Sequence, residues 1–207
     1  MLHFDTSAIE AMEKIYRLNL INSVTGYKSA HLIGTQSETG VYNLAVFSSV
    51  IHLGSNPPLI GFILRPTTVP RHTYQNLKAN KAFTLNAISA NQIADAHHTS
   101  AKYPATISEF EQTNLVPENK LDFNAPFVKG APIQMACQYE NEYPIKENDT
   151  LLIVGSIQHL FVTDRMVGND GWATLEKGDI VSINGLDGYA LPQLIERFAY
   201  ARPKKQT

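Results

Sequence analysis

GVYNLAVFSSVIHLGSNPPLIGFILRPTTVPRHTYQN, residues 40–76, is the stretch whose reading decides the fold. It divides into a strand, a tight connection, a second strand and a polar loop that opens a helix. Along the first strand Asn43, Ala45, Phe47 and Ser49 alternate with Leu44, Val46, Ser48 and Val50. Side chains two apart share a strand face, so Asn43 and Ser49 lie with Phe47 while Ser48 points the other way. A polar group inside an apolar strand is costly to bury alone; water, backbone or a ligand has to partner it. After Pro57-Pro58, the second strand, Leu59 to Arg65, is nearly all apolar and is expected to be buried on both faces. In Arg71-His72-Thr73 a hydroxyl residue at a candidate N-cap stands beside a cation. That is the chemistry that holds a phosphate at a helix N-terminus.

The whole chain has 207 residues, 43% of them hydrophobic, and a net charge of −2. That is enough for one substantial domain, residues 1–207, burying about 70% of its unfolded surface. No cluster of Lys and Arg argues for nucleic acid, and the basic run Arg202-Pro-Lys204-Lys205 reads as a solvated end. No apolar run approaches the roughly 20 residues of a membrane helix. The N-terminus, with Asp5, Glu10 and Glu13, lacks the basic-then-apolar layout of a secretion signal. The single Cys137 excludes an internal disulfide, suits a reducing cytoplasm and reads as a buried, inert thiol. His97 and His98 are adjacent rather than spaced i to i+4, and no carboxylate stands at ligand spacing, so no metal site is expected. His31, His52 and His159 fall in strand runs. No Gly-x-Gly-x-x-Gly follows a strand, and there is neither a Gly-x-Ser-x-Gly elbow nor a Gly-Lys-Ser/Thr loop.

From the N-terminus, Ser7-x-x-Glu10 has capping-box spacing and predicts an amphipathic helix over about 7–18. Ser29 to Thr35 and the Asn43 strand, joined through Ser37-Glu-Thr-Gly40, make an antiparallel hairpin. The helix near Thr73 runs to about Ala79, with Asn80 as a left-handed cap. Strand returns at Phe83–Ile88, and a second helix begins at Ser89. Residues 104–126 form a long surface excursion, a candidate active-site or dimer-contact loop. Strands follow at 133–140, 151–163 and 180–183, with Gly155 a bulge or bend. A final helix is expected over about 192–201, Pro192 in its first turn. Strands dominate without βα alternation, so the fold class is mainly β, a closed antiparallel barrel with peripheral helices.

Taken in order, several segments together resemble the flavin reductase-like proteins, whose fold is the FMN-binding split β-barrel. They are Tyr42 to Ser49, Asn56-Pro57-Pro58-Leu59-Ile60-Gly61, Arg71 to Leu77, Phe83-Thr84-Leu85-Asn86, Ser108-Glu109-Phe110-Glu111 and Asn184 to Tyr189. The resemblance spans about Tyr27 to Tyr189. Two departures stand out. Asn184 and Asp187 replace a more basic, double-glycine closing segment, and Asn114 stands where the family has Gly, as a candidate left-handed turn.

The resemblance implies one flavin, FMN with FAD as the alternative, at a homodimer interface. It implies that Asn43, Ser48 and Ser49 bond the ring edge while Ala45 and Phe47 line its face. It places Arg71, His72, Thr73 and Asn76 at the phosphate, Ser100 and Lys102 at the phosphate or ribityl chain, and Asn56 and Tyr189 among the contacts. The implied activity is oxidoreductase: hydride from NADH or NADPH to free flavin or another small acceptor. Hydride transfer needs stacking, orientation and water exclusion rather than a protein acid or nucleophile, so no catalytic residue is expected. The alternative is a flavin-binding electron carrier with little nicotinamide turnover. A pocket reassigned to haem or another tetrapyrrole is a third reading, with His52 the one axial candidate in the pocket strands.

Overall fold

The computed structural model describes residues 1–203. Two short helices, α1 (Thr6–Ala11) and α2 (Lys14–Ser23), lead into β1 (Lys28–Ser29) and β2 (His31–Gln36). Then come β3 (Tyr42–Phe47), β4 (Ile51–Ser55), β5 (Pro58–Leu64), α3 (His72–Asn80), β6 (Ala82–Ala87) and α4 (Ile93–His98). β7 (Pro117–Glu118) and β8 (Phe127–Val128) precede two long strands, β9 (Ile133–Ile145) and β10 (Thr150–Val162). β11 (Ser182–Asn184) and β12 (Gly188–Ala190) form a last hairpin.

Seven strands form one antiparallel sheet in the order β3-β2-β6-β9-β10-β5-β4. Its edge strands, β3 and β4, are consecutive in the chain, so the sheet curls until Ser48–Val50 bridges its edges. At this seam the Ser49 hydroxyl donates to Ile63 O and accepts from Ile63 N, both at 3.1 Å, and Ser29 Oγ donates to Val50 O at 2.7 Å. The result is a barrel split along one seam. Alternation sends Ile33, Phe62, Phe83, Leu85 and Ile153 into one interior cluster. Leu32, Leu44, Ile88 and Val128, of opposite parity, pack outside with Ala96 of α4, Phe110, Val181 and Ile183. Cys137 is buried inside, and that burial pushes its thiol up to about 12, as an inert thiol requires.

The register of β9 against β10 shifts between Val154 and Gly155, so the bulge falls where glycine predicted it. The reason is steric as well as conformational: a Cβ on Gly155 would lie 2.6 Å from Phe83 Cζ. Gly155→Val is expected to cost about 1–3 kcal/mol, the usual scale of overpacking. Thermal unfolding of the single variant and of the double variant with Phe83→Leu checks this, since the smaller side chain should recover part of the loss.

Several local expectations are corrected. The N-terminal helix of residues 7–18 is two helices, because the Glu13 carboxylate turns back onto Ile15 N and Tyr16 N and starts α2 afresh. Asp5, not Ser7, caps α1, accepting from Ala8 N at 2.8 Å. The first strand stops at Phe47, and β4, paired with β5, is an extra edge strand. Lys81 (φ 58°), not Asn80, takes the left-handed position after α3; Asn80 Nδ2 instead donates to Gln36 O. Asn114 is not left-handed; its N–H and amide bond to Asp95. The final helix over 192–201 is absent, residues 191–203 having no regular structure. So short a helix is marginal without an apolar surface to cover it.

Candidate functional site

A small cleft of about 100 Å³ opens beside the N-terminus of α3. Ser37, Tyr42, Asn43, His72, Gln75 and Asn76 wall it, with Ala105 and Ile107 from the long excursion opposite. Arg71 is the extended N-cap residue of α3 and makes no side-chain capping bond. The first-turn N–H groups thus keep their partial positive charge for an anion. Arg71 Nε donates to Pro66 O at 3.3 Å, which ties the cation's stem to the loop before the helix.

Behind the cleft lies a buried polar network. Asn43 Nδ2 donates to Thr73 Oγ1 at 3.1 Å and to Thr35 Oγ1 at 3.4 Å. Asn76 Nδ2 donates to the same Thr35 Oγ1 at 3.0 Å. All four residues are buried. Three consequences follow. Thr73 is not the N-cap; it sits in the first turn and receives the Asn43 amide. Asn43 and Asn76 spend their amide nitrogens on the protein, although both residues line the cleft. Thr35, which carried no functional reading in the sequence, joins β2, β3 and α3 at one atom.

Glu109 is the second residue the sequence left without a role. It lies in the 3-10 turn Glu109–Gln112, and its Oε2 accepts Leu44 N at 2.8 Å in a buried setting. Burial pushes this carboxyl up, while the Leu44 N–H and the nearby His72 pull it the other way. It pins the long excursion to β3 and so fixes one wall of the cleft. The excursion therefore contributes Ala105 and Ile107 to the lining of the cleft.

The remaining candidates divide. Ser48 is half-buried at the β3–β4 bend, whereas the Ser49 hydroxyl is fully engaged with Ile63. A side-chain bond from Ser49 to a ring edge is thus corrected to a structural role. Phe47 turns inward, edge-to-face with Phe62 at 5.2 Å between centroids, and half-buried Ala45 shares its strand face. Ser100 and Lys102 are exposed on the turn leading to Ala105, outside the cleft wall. Asn56, at the cis Asn56–Pro57 peptide, is exposed at the β4–β5 connection. Tyr189 packs on the outer cluster and its hydroxyl lies 3.2 Å from His97 Nδ1.

An uncapped helix start between Arg71 and His72 fits a phosphate. The ring of a flavin does not fit in a cleft of this size, since pockets for such ligands run to about 300–1,000 Å³. It would have to lie on the open surface by the β3–β4 bend.

A split antiparallel barrel with an uncapped helix start beside a small cleft defines the class. The model of the flavin reductase like domain matches residues 28–175, and the chain belongs to that family of flavin-related oxidoreductases. A split-barrel protein of Shewanella frigidimarina NCIMB 400, itself inferred to be a flavin reductase, is 42% identical. That match covers 97% of this chain and 100% of the other, with a TM-score of 0.94. Nitrilotriacetate monooxygenase component B from Bacillus cereus is 23% identical over 97% of this chain and 98% of its own, TM-score 0.81. Flavoredoxin of Desulfovibrio vulgaris (Miyazaki F) is 20% identical over 84% and 92%, TM-score 0.73. The last two share the fold.

Proposed function

We propose that this chain binds FMN and transfers hydride from NADH or NADPH to free flavin or another small acceptor. The uncapped N-terminus of α3, with Arg71 before it and His72 within it, carries this reading. Arg71 and His72 hold the phosphate with the first-turn N–H groups. Ser48 and the β3–β4 backbone meet the ring edge. Bound there, the flavin supplies two-electron redox chemistry, and the chain's task is to orient it and exclude water. The small cleft favours a homodimer in which a second copy covers the ring. One domain over residues 1–207 and a cytoplasmic location complete the reading, the latter in keeping with the lone buried Cys137.

The test begins with the visible spectrum of the purified protein and analysis of the chromophore released by heating. Arg71→Ala should weaken FMN binding about 10- to 100-fold, the scale of a charge-assisted hydrogen bond. Unchanged affinity removes the phosphate assignment. Steady-state oxidation of NADH and NADPH then separates a reductase from a carrier, which would hold FMN with negligible turnover. A colourless protein that binds neither FMN nor FAD sinks both.

A further inference from the structure

The strand ends away from α3 carry a second groove. It is open, about 370 Å³ in volume, and walled by Ser89, Asn91, Pro132, Arg165, Gly178 and Asp179. Sites for small molecules run to about 300–1,000 Å³, so this groove has the room that the cleft beside α3 lacks. Its floor is stiff. A Cβ on Gly178 would lie 2.8 Å from Met166 Sδ and 2.9 Å from Pro132 Cβ, and Met166 is fully buried with Ala87 and Ile180.

Two opposite charges border the groove, and the protein uses neither. Arg165 and Asp179 are exposed and, among the described residues, in no ion pair. Asp164, Glu176 and Lys177 are their charged neighbours in sequence and lie outside the lining. The Asp179 backbone is fixed on both sides, its N–H donating to Glu176 O at 3.1 Å and its carbonyl accepting Ala90 N at 2.9 Å. That holds it left-handed at φ 50°, which aspartate tolerates, and leaves the carboxylate over. Asn91 Oδ1 accepts Ser89 Oγ at 2.6 Å, which leaves the amide nitrogen as a donor.

The groove shares a barrel rim with the β3–β4 bend. Phe47, which ends β3, and Ala87, which ends β6, pair with His31 from its two sides. They are two strand spacings apart, about 10 Å, and Ser89 and Ser48 follow just beyond them. The charges narrow the ligand. Inorganic phosphate would suit the guanidinium and be repelled by the carboxylate, and a simple cation the reverse. A phosphate joined to a ribose uses both, since a guanidinium pairs with phosphate oxygens and a carboxylate accepts from ribose hydroxyls.

We propose that this groove docks the adenosine ribose and diphosphate of the hydride donor, Asp179 accepting from the ribose hydroxyls and Arg165 pairing with the diphosphate. The nicotinamide then reaches along the rim toward the bend. A 2′-phosphate would set a second anion against Asp179, so the donor is NADH rather than NADPH. The proposal rests on the hydride-transfer reading above.

Calorimetric titration with ADP-ribose tests it, because that probe carries both groups and needs no flavin. The parent should bind it at millimolar concentration or below. Arg165→Ala and Asp179→Asn should each raise its Kd about ten-fold, the scale of a charge-assisted hydrogen bond; asparagine keeps the left-handed backbone. In steady state the KM for NADH should rise while kcat and FMN affinity hold, the pattern of lost uniform binding. The parent should favour NADH, and Asp179→Asn should narrow the preference. A parent that does not bind ADP-ribose, variants with unchanged Kd, a KM rise confined to the acceptor flavin, or a parent that favours NADPH overturns the proposal. A colourless protein that binds ADP-ribose through these two residues would fail the flavin reading and keep this one. A flavin-loaded protein that oxidises NADH equally well in both variants does the reverse.

Discussion

Thr35→Val is expected to cost about 2–4 kcal/mol of stability and to weaken flavin binding with it. Valine keeps the shape of threonine and deletes one oxygen. That oxygen receives the Asn76 amide at 3.0 Å and the Asn43 amide at 3.4 Å, with Thr35 itself fully buried. A buried donor left without an acceptor costs about 1–3 kcal/mol. Asn76 should contribute most of such a penalty, and Asn43, which keeps Thr73, a smaller one. Because the same atom joins β2 and β3 to the first turns of α3, its loss also loosens the helix start that would hold the phosphate. Urea unfolding at constant m-value measures the first effect and flavin titration the second. Thr35→Ser keeps the acceptor and should recover more than half of the loss. A Thr35→Val variant within about 0.5 kcal/mol of the parent, the scatter of a neutral surface change, would show that the network adds nothing.

That network also marks the limit of what the sequence could show. The β2–β3 hairpin was legible because alternation and the Ser37–Gly40 turn are local signals, and so was the bulge at Gly155. β4 was not, because Ile51–Ser55 follows the preceding strand with no Gly or Pro between them, and its outer face is exposed. The break between α1 and α2 has no proline or glycine either; it is made by the Glu13 carboxylate, which a periodicity reading passes over. Around the cleft, Asn43, His72 and Asn76, singled out from the sequence, share its lining, with Arg71 at the N-cap beside them. Thr35 and Glu109 were not assigned, since their partners lie 41 and 65 residues away. Long-range satisfaction of one buried atom by another leaves no spacing to read.

The acid limb of stability should belong to His31, and His31→Leu should flatten it. His31 opens β2 opposite Phe47 and Ala87, and its Nδ1 is buried without a hydrogen-bond partner. Burial pulls its pKa down from 6.5 to about 4. The folded-state value is below the unfolded one, so the neutral ring contributes its full stability above pH 6.5. As the pH falls below that, the unfolded chain takes up a proton that the folded protein refuses, and stability drops by up to about 3 kcal/mol by the time pH 4 is reached. The carboxylates of Glu118 and Glu142, held low by hydrogen bonds and by Lys120 and Lys78, lose their contribution only below the ordinary carboxylate range. Glu109 works in the opposite sense, since its raised pKa makes folding less favourable as pH rises through the carboxylate range. The window between pH 6.5 and 5 is therefore left to His31. Denaturant midpoints at half-unit steps from pH 4 to 8 resolve it. In His31→Leu the slope between pH 6.5 and 5 should vanish while the fall at lower pH remains. A variant that keeps the parent's slope in that window would place the titration elsewhere and remove His31 from the account of the acid limb.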